Sequence, residues 1–340
     1  MSPHLELDSP VIDRPATQSP DSDLQWTAIP QPPATGAAAV RQIPEPDGPS
    51  PKHAASKKSY PWSLGLDWPV LVWIVVVHAG ALAAPFFFTW KALGVCLFLC
   101  WFTGSIGVCL GYHRQLTHGS FATYKPVRWL LALIGGLSGE GSALTWVASH
   151  RKHHAFSDKE GDPHSPREGG LWSHMLWFMP DYGRRHYDQL VARYAPDLVK
   201  DPVMRLLHAL FLPSHIVMGA SLMAIGWCGW DFHTGMSFLV WGMFVRLIYV
   251  LHVTWFVNSA SHIWGYRNYE TSDDSRNLWW VGLLAFGEGW HNNHHAFQRM
   301  ARHGHKWWEI DVTYWAICLL EKLGLAWEVV KKVPPRTRPA

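Results

Sequence analysis

The chain offers no cysteine pair at CxxC spacing, little charge, and no secretory leader. Its five cysteines (Cys96, Cys100, Cys109, Cys228 and Cys318) all stand in apolar surroundings. Neither a disulfide framework nor a thiolate metal site is indicated, and they read as small interior hydrophobes. Charged residues are only 16% of the chain and the net charge is +3, which excludes a nucleic-acid-binding surface. Residues 1–60 hold no basic stretch followed by an apolar run, so they do not read as a secretory signal. Acidic Glu6, Asp8, Asp13, Asp21 and Asp23 argue against an organellar transit peptide. The same segment is rich in Pro, Ser, Ala and Asp and lacks apolar periodicity, so a disordered tail is expected over 1–60. A folded domain is expected over 61–330, and a short C-terminal tail over 331–340.

What is abundant is aromatic and aliphatic. Tryptophan occurs 22 times, and the mean hydropathy of -0.04 averages a polar tail with very apolar stretches. A bilayer core of about 30 Å needs about 20 apolar residues in a helix. Four segments approach this: 68–90, 93–112, 206–227 and 236–257. The first two form one hairpin around Lys91, and the last two another through a connection without Lys or Arg. Lys52, Lys57 and Lys58 precede the first span, and the central 113–205 stretch is rich in Arg and Lys. The positive-inside rule places both termini and that central stretch in the cytoplasm. The expected fold is an all-α integral membrane protein: four transmembrane helices in two hairpins under a cytoplasmic helical cap. A fifth apolar stretch, 129–147, is interrupted by Gly135, Gly136, Gly139, Gly141 and Glu140. It reads as re-entrant or packed inside the protein, where irregular backbone is tolerated. Near the C-terminus Val312, Trp315, Ala316, Leu319 and Leu323 recur at helical spacing, the pattern of an interfacial amphipathic helix.

Three histidine clusters lie beside the span ends: His113 with His118, His150 with His153 and His154, and His291 with His294 and His295. Positions i, i+3 and i+4 share a helix face, so the second and third clusters can each converge on one site. The first pair, five apart, needs a bent or frayed helix end to do so. Eight neutral imidazoles at this spacing suit iron, zinc or copper far better than calcium or magnesium. Parity supports a shared site, because with four spans and no fifth crossing all three clusters reach one face. His78 and His252, alone inside spans, read as satisfied interior residues. His164, His174 and His303 read either as outer partners of the site or as loop residues. Asp158, Asp162, Asp274 and Glu288 are candidates to receive the second N–H of a ligating ring, against the alternative of solvated loop charges. Arg246, a charge within a span, is expected in the interior beside a carboxylate. Arg151, Lys152, Arg184 and Arg185 form a basic surface that reads as ordinary positive-inside charge or as a dock for an electron donor.

The wording around these clusters resembles the membrane fatty-acyl desaturases of the acyl-CoA or acyl-lipid Δ9 type. The matching stretches are GYHRQLTHGSF (111–121), WVASHRKHHAFSDKEGDPHSP (146–166), TWFVNSASHIWGYRNYETSDDSRN (254–277) and GEGWHNNHHAF (287–297). The likeness covers 65–327 and is greatest for the bacterial, cyanobacterial and plant branch, with no fused cytochrome b5. It implies a di-iron centre, two Fe ions per chain, with O2 as co-substrate. By motif it carries His113, His118, His150, His153, His154, His291, His294 and His295 over as ligands, adds His262, and brings in Asn258 through water. It implies that Trp146 and Thr254 line the bend of an acyl tunnel, with Glu140 where relatives often carry Gln. The implied activity is O2-dependent insertion of a cis double bond, at carbon 9, into a saturated acyl chain carried by CoA, acyl-carrier protein or a membrane lipid. Two external electrons are needed, from a ferredoxin or alternatively a cytochrome b5, and the implied place is the bacterial inner membrane. Rival readings are a histidine-box lipid hydroxylase or ketolase, and a non-enzymatic metal carrier. The carrier requires a polar path through the spans, which offer mainly His78, Arg246 and His252.

Overall fold

The computed structural model describes residues 61–331; the expected tail over 1–60 and all but the first residue of the one expected over 331–340 lie outside them. Helix starts follow local chemistry. Asp67 accepts the Val70 amide and precedes Pro69, which opens α1 (Trp68–Ala81). Thr89 caps α2 (Trp90–Thr117) through the Ala92 amide. Asp231 caps α9 (Phe232–Ile263) through the Thr234 amide. Between them lie α3 (Lys125–Gly136), α4 (Ala143–Phe156), α5 (Gly183–Tyr194), α6 (Pro196–Val199), α7 (Pro202–Ala209) and α8 (Phe211–Gly229). The chain continues through α10 (Trp279–Leu284), α11 (His291–Ala296) and α12 (Val312–Lys322). A two-residue antiparallel pair, β1 (Ala122–Thr123) with β2 (Ala326–Trp327), ties the C-terminal end beside α3.

Among the described residues, three helices are long and apolar enough to cross a membrane: α2 at 28 residues, α8 at 19 and α9 at 32. The first expected span is shorter than its apolar stretch. α1 has 14 residues, about 21 Å at 1.5 Å per residue, and the chain then turns through Leu82–Phe86 before reaching Thr89. The 129–147 stretch is not one helix either. It breaks between α3 and α4, where Gly139 and Gly141 take positive φ, and the flanking Leu131, Ile134, Leu144 and Val147 are buried.

Small residues let the site-bearing helices approach closely. A Cβ built on Gly107 of α2 would stand 2.6 Å from the Gly135 amide nitrogen of α3. One on Gly226 of α8 would stand 2.7 Å from Gly235 Cα of α9. Buried Arg246 does not meet a carboxylate. Its guanidinium bonds the carbonyls of Gly242 and Leu137 and approaches the Met218 and Met243 sulfurs, tying α9 to the break after α3. Backbone carbonyls satisfy a buried cation at lower desolvation cost than an ion pair would. On α12, Thr313 and Ile317 are buried while Trp315, Leu319 and Leu323 are exposed, so an apolar stripe faces outward.

Candidate metal centre

Nine buried or nearly buried histidines meet in two groups. One ring nitrogen each from His113, His118, His150, His154 and His294 lies within 4.8 Å of the others, and so it is for His153, His262, His291 and His295. The clusters do not each converge on one point. At 100° per residue, positions i and i+4 differ by about 40°, whereas i+3 falls about 60° to the other side. His150 and His154 therefore aim into the first group and His153 into the second. In α11, His291 and His295 join the second and His294 the first. The five-residue spacing of the first cluster is met by a different winding. From Cys100 to Thr117, α2 is a π-helix, and the His118 amide bonds the His113 carbonyl five residues back at 3.2 Å. That wide turn brings the two rings to 4.8 Å.

Carboxylates set the tautomers. Glu288 Oε2 stands 2.7 Å from His113 Nδ1, while Asp162 accepts from His153 at 2.9 Å, Asp158 from His262 at 2.8 Å and Asp273 from His295 at 2.9 Å. A carboxylate only accepts, so each of these rings carries its proton on Nδ1 and turns a bare Nε2 inward. His262 Nε2 nevertheless stands 3.0 Å from His291 Nε2. His294 Nε2 stands 3.1 Å from His113 Nε2 and 3.0 Å from His154 Nε2. One ring nitrogen holds one proton at most, so these contacts cannot all be hydrogen bonds. Two nitrogens about 2.1 Å from a shared ion and at right angles stand about 3 Å apart, which is the spacing seen. Among the described residues, the buried Nε2 atoms of His118, His153 and His295 have no hydrogen-bond partner. The donor set therefore fits two nitrogen-ligated transition ions.

The electrostatics agree. Burial, with mutual repulsion, holds His118, His150, His154, His291 and His294 well below the ordinary imidazole value, keeping them neutral ligands. Burial lowers His295 to about 4 despite Asp273. At His153 burial is overcome by Asp162, and the ring is shifted upward. Burial opposes ionisation of Asp162 and Asp273, yet their imidazole partners hold both far below the carboxylate range.

Of the four acidic candidates, Asp158, Asp162 and Glu288 take the expected place. Asp274 does not. Its side chain reaches outward to Arg167, and its neighbour Asp273 bonds His295 instead. Sequence reasoning missed Asp273 because both carboxylates of the Asp-Asp pair had equal standing until the loop's direction was known. It also missed Arg114, which is fully buried and bridges Glu288 to Asp311, and Glu309, which with Asn268 and Asn277 grips Asn293 of α11. A charged residue next to a ligand, as Arg114 is to His113, was the available signal. His164 stacks on His153 at 4.3 Å, and His303 Nδ1 lies 2.9 Å from Glu288. His174 lies elsewhere, in a chain with His252 and His78 at 3.0 and 3.2 Å. Arg151 is drawn inward to Asp197 and to the Leu116 and Tyr194 carbonyls, which leaves Arg184 and Arg185 as the exposed part of the basic surface.

A cavity of about 730 Å³ runs along the metal groups. Lys152 of α4, Lys159 and His186 of α5 stand at one part of its wall, and Gly104, Val108 and Val250 of the long helices at another. His113, His150, His291 and Asn258 also line it. On this wall Glu140 accepts from Trp146 Nε1 at 2.9 Å and from Thr254 Oγ1 at 2.7 Å. Burial pushes the Glu140 carboxyl up to about 7, although both hydrogen bonds pull the other way.

A pair of imidazole groups that could hold metal, flanking a long apolar cavity, finds its counterpart in known sequences. The signature of the fatty acid desaturase family matches residues 88–310. The chain belongs to the fatty acid desaturase family. It is therefore an oxidoreductase of that kind. It is 48% identical to the sn-2 palmitoyl-lipid 9-desaturase of Nostoc sp. over 79% of this chain and 92% of that protein. It is 46% identical to the sn-1 stearoyl-lipid 9-desaturase of Anabaena variabilis over 78% of this chain and 94% of that one. The chloroplastic palmitoyl-monogalactosyldiacylglycerol delta-7 desaturase of Arabidopsis thaliana is 40% identical over 78% of this chain and 69% of its own length.

Proposed function

We propose that the protein inserts a cis double bond at carbon 9 of a saturated acyl chain esterified in a membrane lipid. The observation that carries the reading is the set of inward Nε2 lone pairs, about 3 Å apart in two groups, beside an apolar cavity. Iron would be held by His113, His118, His150, His154 and His294 at one position, and by His153, His262, His291 and His295 at the other, with Asn258 reaching the second through water. When bound, the two ions supply reductive activation of O2, the oxidising power needed against an unactivated methylene. The chain's own residues orient the rings through four carboxylates and bend the acyl chain at Glu140, Trp146 and Thr254. That bend would present adjacent carbons to the metals. The relatives named as lipid 9-desaturases support the lipid carrier and the position, and they favour desaturation over hydroxylation.

The reading further places α1, α2, α8 and α9 across the bilayer as two hairpins, α1 being completed by the turns that follow it. Both termini and the ligand-bearing cap then face the cytoplasm, at a bacterial inner membrane. The two electrons per turnover come from an external donor, a ferredoxin, docking on the cap. Expression in a host with a compatible donor, followed by fatty-acid analysis, tests this. A new cis-9 monoenoic acid is expected, along with about two irons per chain. His153→Ala and His294→Ala, which each strip one group, should abolish the product. Retained activity in either variant rejects the ligand assignment, and hydroxylated rather than unsaturated products would overturn desaturation in favour of a histidine-box hydroxylase.

A further inference from the structure

The cavity wall is uneven in strength. On one side the lead-in to α1 is stitched to the strap before α5 by main-chain hydrogen bonds. The Asp67 amide donates to the Met179 carbonyl at 2.8 Å, and the Asp181 amide to the Gly65 carbonyl at 3.1 Å. On the other side α1 faces the first turns of α8. Both helices pack on α9, but ring contacts of Trp73 close the seam between them. The Trp73 indole stands 6.3 Å from the Phe211 ring and 5.0 Å from the His215 ring. Val70, Trp73 and Ile74 of α1 and Phe211 and Leu212 of α8 all line the cavity. Around the seam, Trp68 (65% exposed), Val72 (55%) and Ile216 (65%) form an outward apolar surface. Behind it, the Trp73 Nε1 and His215 Nε2 atoms are buried without hydrogen-bond partners. His215 donates its Nδ1 proton to the Phe211 carbonyl, so its Nε2 is an acceptor and the Trp73 N–H is an unused donor. A buried donor left unpaired is destabilising, and an ester carbonyl drawn into the seam would satisfy it.

We propose that the acyl chain of a bilayer glycerolipid loads sideways through the seam between α1 and α8, with Trp73 as its closing residue. The inference rests on the desaturase reading and on the placement of α1 and α8 in the bilayer. The occupant follows from continuity: the seam joins an outward apolar surface directly to the cavity that holds the metal groups. A chain still anchored in the membrane can take this route without lifting its headgroup into water. The remaining rim carries Lys152, Lys159 and His186 at the cap, where a polar headgroup would stay solvated. Trp73 acts on access and not on the reacting atoms, so it is a positioning residue.

Nanodiscs containing a phosphatidylglycerol with a diazirine-tagged stearoyl chain test the route without requiring turnover. Photolabelling of the buried, cavity-facing Ile74 and Val250 is expected. Labels confined to outward Val72, Val75, Val76 and Ile216 overturn the proposal. Trp73→Ala should raise labelling at Val250 and Trp73→Phe should restore the wild-type level; equal labelling in all three removes the gate. In parallel, iron-loaded protein with reduced donor is offered stearoyl-phosphatidylglycerol, stearoyl-CoA and stearoyl-acyl-carrier protein. Turnover of the lipid supports sideways loading. Turnover of a soluble thioester alone overturns it and leaves the desaturase reading intact. No product from any donor rejects the desaturase reading, while the labelling pattern still decides the route.

Discussion

At the scale of single residues, the carboxylates decide which nitrogen of each ring faces inward. Asp273 accepts from His295 Nδ1 and is itself held by Ser275 and Thr271. Asp273→Asn turns a charged acceptor into a neutral amide, and such outer partners typically contribute 10–100-fold in metal affinity or activity. A loss of about that size is expected in iron retention during dialysis, with Asp274→Asn unaffected because that side chain faces Arg167. Glu140 makes a different prediction. Its folded value of about 7 exceeds the ordinary 4.5, so the native state binds the proton more tightly than the unfolded chain does. Stability is then full below the unfolded value, declines as pH rises from about 4.5 to 7, and stays reduced above, by up to about 3 kcal/mol. Thermal unfolding should accordingly show Glu140→Gln flattening the loss between pH 5 and pH 8. An unchanged pH slope would mean that Glu140 remains ionised throughout.

At the scale of helices, legibility was governed by period and length. The outward stripe of α12 follows from local sequence, whereas the turn expected around Lys91 falls earlier, over 82–89, and Lys91 lies inside α2. Three other features did not follow from local sequence. The apolar run 68–90 reads as one span because hydropathy cannot see Pro85 and the turns around it, which stop α1 at Ala81. The i, i+3, i+4 pattern reads as one face because a 100° arc is compatible with either one site or two. Only the position of the facing helix decides between them. The π-helical winding of α2 was likewise hidden, though the five-residue histidine spacing demanded something other than a regular turn. Close helix contact supplies the test at this scale. Gly107→Leu must push α3 away from α2, and overpacking of this kind costs about 1–3 kcal/mol. Gly94, with nothing within 4 Å of an added Cβ, tolerates the same change. A fall in unfolding temperature for Gly107→Leu, with Gly94→Leu near wild type, is expected. Equal behaviour would reject the contact.

At the scale of the molecule, the sequence revealed the family's chemistry more readily than its architecture. Nine imidazoles could be named from spacing and resemblance, whereas their division into two groups needed the fold. Arg246 shows the same limit: its burial was expected, but carbonyls at Gly242 and Leu137 could not be foreseen because they carry no side-chain signature. That division of the histidines has a thermodynamic consequence. α4 contributes to both groups, and so does α11. An ion captured by one group immobilises the two helices that carry the other group's donors, and the ordering entropy is lost only once. The second ion should then bind more tightly than the first. Iron titration followed by optical absorption should be sigmoidal, with a Hill coefficient above one and half-loaded protein scarce at every ratio. His153→Ala, which cripples one group, should weaken loading of both. A hyperbolic titration through an abundant one-iron species would show that the two positions fill independently.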